Sequence, residues 1–315
     1  MKSQFTWLQA FMQSPGPKSL KAAFVLFLKG ICMGSADIIP GVSGGTIAFI
    51  TGIYDDLLDA IRSFNKNFFK DFFSLRWKKA LAESHIRFLV VLLLGVGIAI
   101  ISFAQIIHYL LLEYPVYTAG FFFGLILASV FAVGKNVPRW TPVVWICFVV
   151  GLIIATWIVN LIPVQTPESL WFIFICGVIA ICAMILPGIS GAFLLLVLGK
   201  YVYITATLKN PFNLHNIVII IVFALGCIIG IMLFSRVLGY FLKNFRAQTL
   251  GLLTGLVLGA IQKIWPWQTG DTSGSFYANL SLPAAFNSEL LITVALMIVG
   301  FLLVFGLERI ANRKS

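Results

Sequence analysis

An all-α polytopic membrane protein is the fold class this sequence predicts. Three observations predict it: 60% of the 315 residues are hydrophobic, only 10% are charged, and apolar runs of about 20 residues recur along the whole length, each enough to cross a bilayer core of roughly 30 Å. A soluble domain carries about 25% charge, so soluble enzymes, nucleic-acid binders and disordered tails are excluded. The net charge of +11 and pI near 9.6 would suggest nucleic acid in a soluble chain. In a membrane protein they report orientation and contact with anionic lipid. Cys32, Cys147, Cys176, Cys182 and Cys227 all lie in apolar stretches, with no metal-ligand spacing, and read as small hydrophobes; no metal or cofactor is expected.

Residues 1–21 carry Lys2, Lys18 and Lys21 among Phe5, Trp7, Leu8 and Phe11, ahead of a Ser14-Pro15-Gly16-Pro17 break. No small-residue cleavage pattern precedes Pro15, so the segment reads as an interfacial arm. The rest repeats itself. At an offset of 147, Pro40-Gly41-Val42-Ser43-Gly44 falls on Pro187-Gly188-Ile189-Ser190-Gly191, and Gly52 and Tyr54 fall on Gly199 and Tyr201. At an offset of 131, Gly95, Phe103, Tyr109, Thr118, Gly120 and Gly124 fall on Gly226, Phe234, Tyr240, Thr249, Gly251 and Gly255. The change of offset is absorbed by a longer, charged loop from Arg62 to Arg87. Repeat 1 is therefore 22–160 and repeat 2 is 161–315, together one membrane domain.

Each repeat opens with an interrupted segment. Proline removes a backbone donor and disfavours helix in the residue before it, so the helix breaks at each Pro-Gly. The arm after the second break, 188–199, gives about 18 Å of helix at 1.5 Å per residue, too short to span. Each interrupted segment is accordingly predicted as a broken helical hairpin, re-entrant by length, although loop charge is equally satisfied by two full crossings. Three ordinary helices follow in each repeat, at 88–112, 117–134 and 142–160, then at 217–238, 248–263 and 288–307; the last pair has no clear sequence match. With a cytoplasmic N-terminus and six crossings, only Lys200, Lys209 and Lys263 of the 22 basic residues fall outside, a strong positive-inside bias. Both termini are then cytoplasmic. An odd number of crossings per copy inserts the second upside down, the inverted-repeat plan of transporters.

A polar break at membrane depth has to be buried or line a watery cavity. After each break a helix restarts, and Ser43, Gly44, Gly45 and Thr46, or Ser190 and Gly191, present amides and hydroxyls at its positive end, where a phosphate or carboxylate is favoured. The plainer alternative is a tight turn whose serines cap their own backbone; the pairing of two such turns favours the ligand. Lys29 and Asp37 flank the first break, and their repeat mates are Cys176 and Met184, so the site is chemically one-sided. Lys29 either faces the site or snorkels to the cytoplasmic surface, and Asp37 either serves the site or caps a helix. Arg236, the mate of Gln105, is an interfacial anchor or a phosphate clamp. The Gly-x-x-x-Gly runs at 120–124, 226–230 and 251–259 read as helix-crossing contacts. His108 and His215 read as surface or packing residues, and Asp55, Asp56 and Asp59 as a solvated face.

These residues resemble the polyprenyl-phosphate transporter family. The likeness rests on Lys29-Gly30, Met33-Gly34, Ala36-Asp37, Pro40 through Thr46 and Gly52-Ile53-Tyr54, with Leu186 through Gly191 and Leu198-Gly199-x-Tyr201, and covers nearly the whole chain. The resemblance implies a flippase that returns undecaprenyl phosphate from the outer to the cytoplasmic leaflet of the bacterial inner membrane, with an anionic polyprenyl-phosphate lipid as partner, a coupling ion (H+ or Na+) and a homo-oligomer compatible with it. The residues alone stop at a transporter of an anionic, amphipathic substrate, which leaves a smaller anion open. The rival enzyme is a membrane undecaprenyl pyrophosphate phosphatase, whose similar turn is followed by an arginine and served by an acidic pair. Here Gly44 and Gly191 stand in the arginine's place, and no Glu-x-x-x-Glu lies in an apolar helix, so phosphoryl chemistry lacks its clamp and base.

Overall fold

The computed structural model describes residues 6–38, 43–161, 166–209, 213–270, 278–283 and 286–312. Pro40, Gly41 and Val42 of the first break lie outside the described residues, as do Lys2, Phe5, Arg313 and Lys314. Fifteen α-helices run along the described chain: α1 (Trp7–Gln13), α2 (Leu20–Asp37), α3 (Gly44–Ile50), α4 (Tyr54–Arg62), α5 (Lys66–Phe73), α6 (Trp77–Glu83), α7 (Ile86–Glu113), α8 (Pro115–Gly134), α9 (Pro142–Val159), α10 (Leu170–Ile185), α11 (Gly191–Val197), α12 (Tyr201–Lys209), α13 (Leu214–Asn244), α14 (Arg246–Ala260) and α15 (Ser288–Asn312). A 3-10 turn, Ile261–Ile264, extends α14. One small addition was not expected from the sequence: β1 (Gln268–Gly270) pairs antiparallel with β2 (Ala278–Leu280) between α14 and α15.

Local chemistry sets the boundaries. Thr6 and Gln9 form a reciprocal capping box on α1, Ser19 caps α2, and Thr141 caps α9. Pro115 and Pro142 each sit in a first helical turn, where no amide partner is lost. Among the described residues, six helices are long and apolar enough to cross a membrane: α7, α8, α9, α13, α14 with its 3-10 extension, and α15. Their apolar side chains face outward as well as inward; Ile101, Trp157 and Leu233 are all more than half exposed, as a lipid-facing perimeter requires. The charged loop between the first hairpin and α7 folds as two amphipathic helices, α5 and α6, pinned by the buried Asp71 to Lys79 at 2.9 Å.

Helix packing is dictated by small residues, and the two halves make the same contacts. α2 lies along α7, and α10 along α13. A Cβ on Gly30 would strike the Leu92 carbonyl, and one on Gly177 the Phe223 carbonyl, the same contact shifted by the two sequence offsets. The third long helix of each half crosses to the other: α9 packs along α14, and α15 along α8. Gly151 rests on the Leu252 carbonyl and Gly300 on that of Phe121, which supplies the equivalence of α9 and α15 that the sequence does not display. The largest buried cluster joins α2, α3, α4 and α7 to α8, α13, α14 and α15, so the short helices after the first break sit inside the bundle.

Candidate functional site at the two helix breaks

At each break the chain turns back on itself. Asp37 at the end of α2 is bonded to Gly44 at the start of α3, and Lys29, further back along α2, reaches Thr51 at the far end of α3. α10 and α11 pair likewise, with Gly191 packed against the Ala180 carbonyl. α11 then meets α12 at a bend of 114°, so the short arm does not run on as a straight span.

The two turns touch. Ser43, the N-cap of α3, accepts from the Gly45 amide at 3.2 Å, and its hydroxyl lies 3.2 Å from the Leu186 carbonyl and 3.4 Å from that of Met184, one proton serving either. The Thr46 hydroxyl, fully buried, accepts from the Gly188 amide at 2.9 Å. The Tyr54 hydroxyl donates to the Ile185 carbonyl at 3.1 Å. Gly188 has φ +88°, and the Val257 backbone lies 2.7 Å from where its Cβ would be, so this turn demands glycine twice over. Two of the polar groups that sequence reasoning assigned to a ligand, the Ser43 and Thr46 hydroxyls, are therefore spent on joining the hairpins.

The seat at the start of α3 is already taken by a carboxyl group. Asp37 Oδ1 accepts from the Gly44 amide at 2.7 Å, while the buried Oδ2 makes no hydrogen bond among the described residues. A Cβ on Gly44 would lie 2.5 Å from that carboxylate, and one on Gly45 2.6 Å from the Ile185 carbonyl. The room these glycines leave is thus filled by the protein itself. At the second break Met184 stands in the place of Asp37, and Ser190 receives only the long 3.4 Å contact from the Phe193 amide.

Lysines mark the edges of the site. Lys29 donates to the Thr51 carbonyl at 2.5 Å, at the negative end of α3, and lines a cavity of about 670 Å³ with Lys21, Asp56, His85 and the Pro15–Pro17 break. Lys263 shares a small pocket with Gly188, Ser190 and Phe193, its ammonium 4.9 Å from the Phe193 ring centre. Lys200, 3% exposed, donates to the Thr166 carbonyl at 2.7 Å, and Thr166 in turn donates to the Leu198 carbonyl at the end of α11. Sequence reasoning set Lys200 and Lys263 aside as outside-loop charges; closeness to the second break is a signal for Lys200, while no local signal marks Lys263. Arg236 is not brought to the breaks. Its guanidinium donates to the Met232 carbonyl at 2.8 Å and to the Phe64 carbonyl at 3.2 Å, and beside it Arg62 donates to the Ser235 carbonyl at 3.0 Å, so both arginines fasten α13 to the first half. Among the described residues no group of three His, Cys, Asp or Glu side chains is placed to hold a metal ion.

A family model described as undecaprenyl phosphate translocase-like matches residues 33–277, which include both breaks. A polyprenyl-phosphate transporter of Vibrio cholerae is 40% identical over 309 residues, covering 91% of this chain and 96% of the relative. A polyprenyl-phosphate transporter of Staphylococcus aureus is 28% identical over 258 residues, covering 77% and 86%. No solved structure matches the chain. On the family match and the Vibrio relative, the chain belongs to the undecaprenyl phosphate translocase-like family and is a transporter rather than an enzyme.

Proposed function

We propose that this protein carries undecaprenyl phosphate from the outer to the cytoplasmic leaflet of the bacterial inner membrane, for reuse as a carrier lipid. The observation that carries the reading is the contact between two polar breaks, Ser43 and Thr46 against Leu186 and Gly188, inside an otherwise apolar bundle. An isolated phosphate in hydrocarbon costs tens of kcal/mol; amides, hydroxyls and lysines have to replace its water. The hairpins hold those donors in reserve. Parting them frees the Ser43 and Thr46 hydroxyls for the headgroup beside Gly44, Gly45, Ser190 and Gly191, with Lys263 on one side and Lys29 on the other. Arg236 serves as a fastener of the cytoplasmic side rather than a ligand.

In this reading repeat 1 (22–160) and repeat 2 (161–315) are inserted in opposite orientations, the hairpins re-enter one from each face, and both termini are cytoplasmic. Asp37 is the group we assign to a coupling cation, H+ or Na+, since its Oδ2 is buried and makes no hydrogen bond among the described residues. Purified protein in liposomes is expected to move undecaprenyl phosphate between leaflets and to release no phosphate from undecaprenyl pyrophosphate. Phosphate release abolished by Ser43→Ala would instead establish the phosphatase reading, and transport of inorganic phosphate without lipid would establish a small-anion carrier.

A further inference from the structure

The pocket beside Ser190 and Lys263, about 10 Å³ and room for one water with the hairpins together, adjoins a larger space of different chemistry. An apolar groove of about 600 Å³ lies between α9, α13 and α14 and shares Ile158 and Ile189 with that pocket. Its volume is that of an ordinary ligand site, about 300–1,000 Å³. Its walls include Ile154 on α9 and Val237 and Phe241 on α13, all exposed at the apolar perimeter, so it is entered sideways from the bilayer between one half and the other.

The two cavities lie on one face of a single helix. Gln248, Leu252 and Leu256 line the groove, and Ala260 and Lys263 line the pocket, a stripe recurring every three to four residues along α14 and its extension. From Lys263 to Gln248 the stripe runs about 22 Å at 1.5 Å per residue. One leaflet of a hydrocarbon core of roughly 30 Å is only half that thickness. An occupant with its charge beside Lys263 and its tail at Gln248 therefore passes the midplane, which a phospholipid acyl chain in one leaflet does not.

Resting on the transport reading above, we infer that the α9–α13–α14 groove is the seat of a long polyprenyl chain whose phosphate lies at Ser190 and Lys263. The cation at one end and the apolar length beyond it match that lipid's two parts. The groove then selects for chain length, and the pocket for the phosphate.

The test compares three probes by native mass spectrometry: undecaprenyl phosphate, farnesyl phosphate and dioleoyl phosphatidic acid. Val237→Trp and Ile154→Trp fill the groove from opposite walls, and both sites face the perimeter, where a larger side chain is tolerated. Displacing two buried methylenes is expected to weaken undecaprenyl phosphate about tenfold and to leave farnesyl phosphate within about twofold. Lys263→Gln is expected to weaken both prenyl phosphates together. Thermal midpoints check folding, and Phe241→Ala, which widens the groove, stands in for a tryptophan variant that does not fold; it too should weaken the long chain selectively. Folded groove variants that bind undecaprenyl phosphate as wild type does would overturn the inference. So would equal losses for undecaprenyl phosphate and phosphatidic acid, which would make the groove an ordinary acyl site. If the wild type binds neither prenyl phosphate, the transport reading itself fails, and that result is distinct from a groove that fails alone.

Discussion

Asp37 Oδ1 accepts the Gly44 amide at 2.7 Å, so the first amide of α3 is held by a carboxylate of the preceding helix, and no side chain fits between them. Asp37→Asn keeps an acceptor in place and should leave the thermal midpoint near wild type. Asp37→Ala should lose about 1.5–3 kcal/mol, the worth of a hydrogen bond to a charged group. Gly44→Ala should destabilise the wild type by collision with the carboxylate and do so less in the Asp37→Ala background. A double-mutant cycle is expected to give a coupling of about 0.5–3 kcal/mol. Additivity would mean that the contact is not felt.

Thr46 supplies the acceptor for the Gly188 amide across the two breaks. Thr46→Val is nearly isosteric but leaves a buried N–H unpaired, a cost of about 1–3 kcal/mol. Thr46→Ser should recover most of it. Equal midpoints for the valine and serine variants would remove this bond from the account of how the hairpins are joined.

Asp56, beside Lys29 in the cavity at the Pro15–Pro17 break, is raised above the ordinary carboxyl value of 3.8 by burial and then by Asp59 and Asp55, against the opposing pull of Lys29 and His85. A raised carboxyl binds more protons folded than unfolded, so its contribution to stability falls as pH rises from 3.8 through the folded value. Asp56→Asn should therefore melt above wild type at neutral pH. The gap should close as the pH is lowered toward 3.8. A gap that widens on acidification would show that attraction to Lys29 outweighs burial.

The proposed opposite insertion of the two halves predicts that the exposed Ser74, between α5 and α6, and the exposed Asn287, ahead of α15, lie on different sides of the membrane. With native cysteines replaced, Ser74→Cys should react with an impermeant maleimide only from the cytoplasm and Asn287→Cys only from outside. Labelling of both from one side would sink the inverted arrangement.

The long spans were legible because burial in lipid needs nothing but apolar length: the expected 88–112, 117–134 and 142–160 are α7, α8 and α9, and the expected 217–238, 248–263 and 288–307 are α13, α14 and α15. The break residues were legible because Pro-Gly interrupts a helix whatever surrounds it. What each break touches was not. Ser43 and the Leu186 carbonyl are 143 positions apart, and no local pattern announces a bond between a side chain and a distant backbone oxygen. Lys263 was passed over for a related reason: counted as a loop charge, it satisfied the topology, and only folding brings it to Ser190, whereas Lys200 follows closely on α11 and was within reach of a local reading. The kinship of α9 with α15 rests on Gly151 and Gly300 alone, too thin a signal until both are seen pressed against equivalent carbonyls.

The exchange of third helices between halves has a consequence for biogenesis. When synthesis has passed Val159, α9 has no partner in its own half; the helix it packs along, α14, begins at Arg246, and α15 must later return to α8. The nascent first half thus waits in the bilayer with Gly151 and its neighbours facing lipid, exposed to quality-control proteases and to mispairing with other unfinished chains. Fragments 1–165 and 166–315 made separately should each be short-lived and, made together, protect one another from degradation in a pulse-chase. A first half that persists alone would mean that α9 finds a second resting place before its partner arrives.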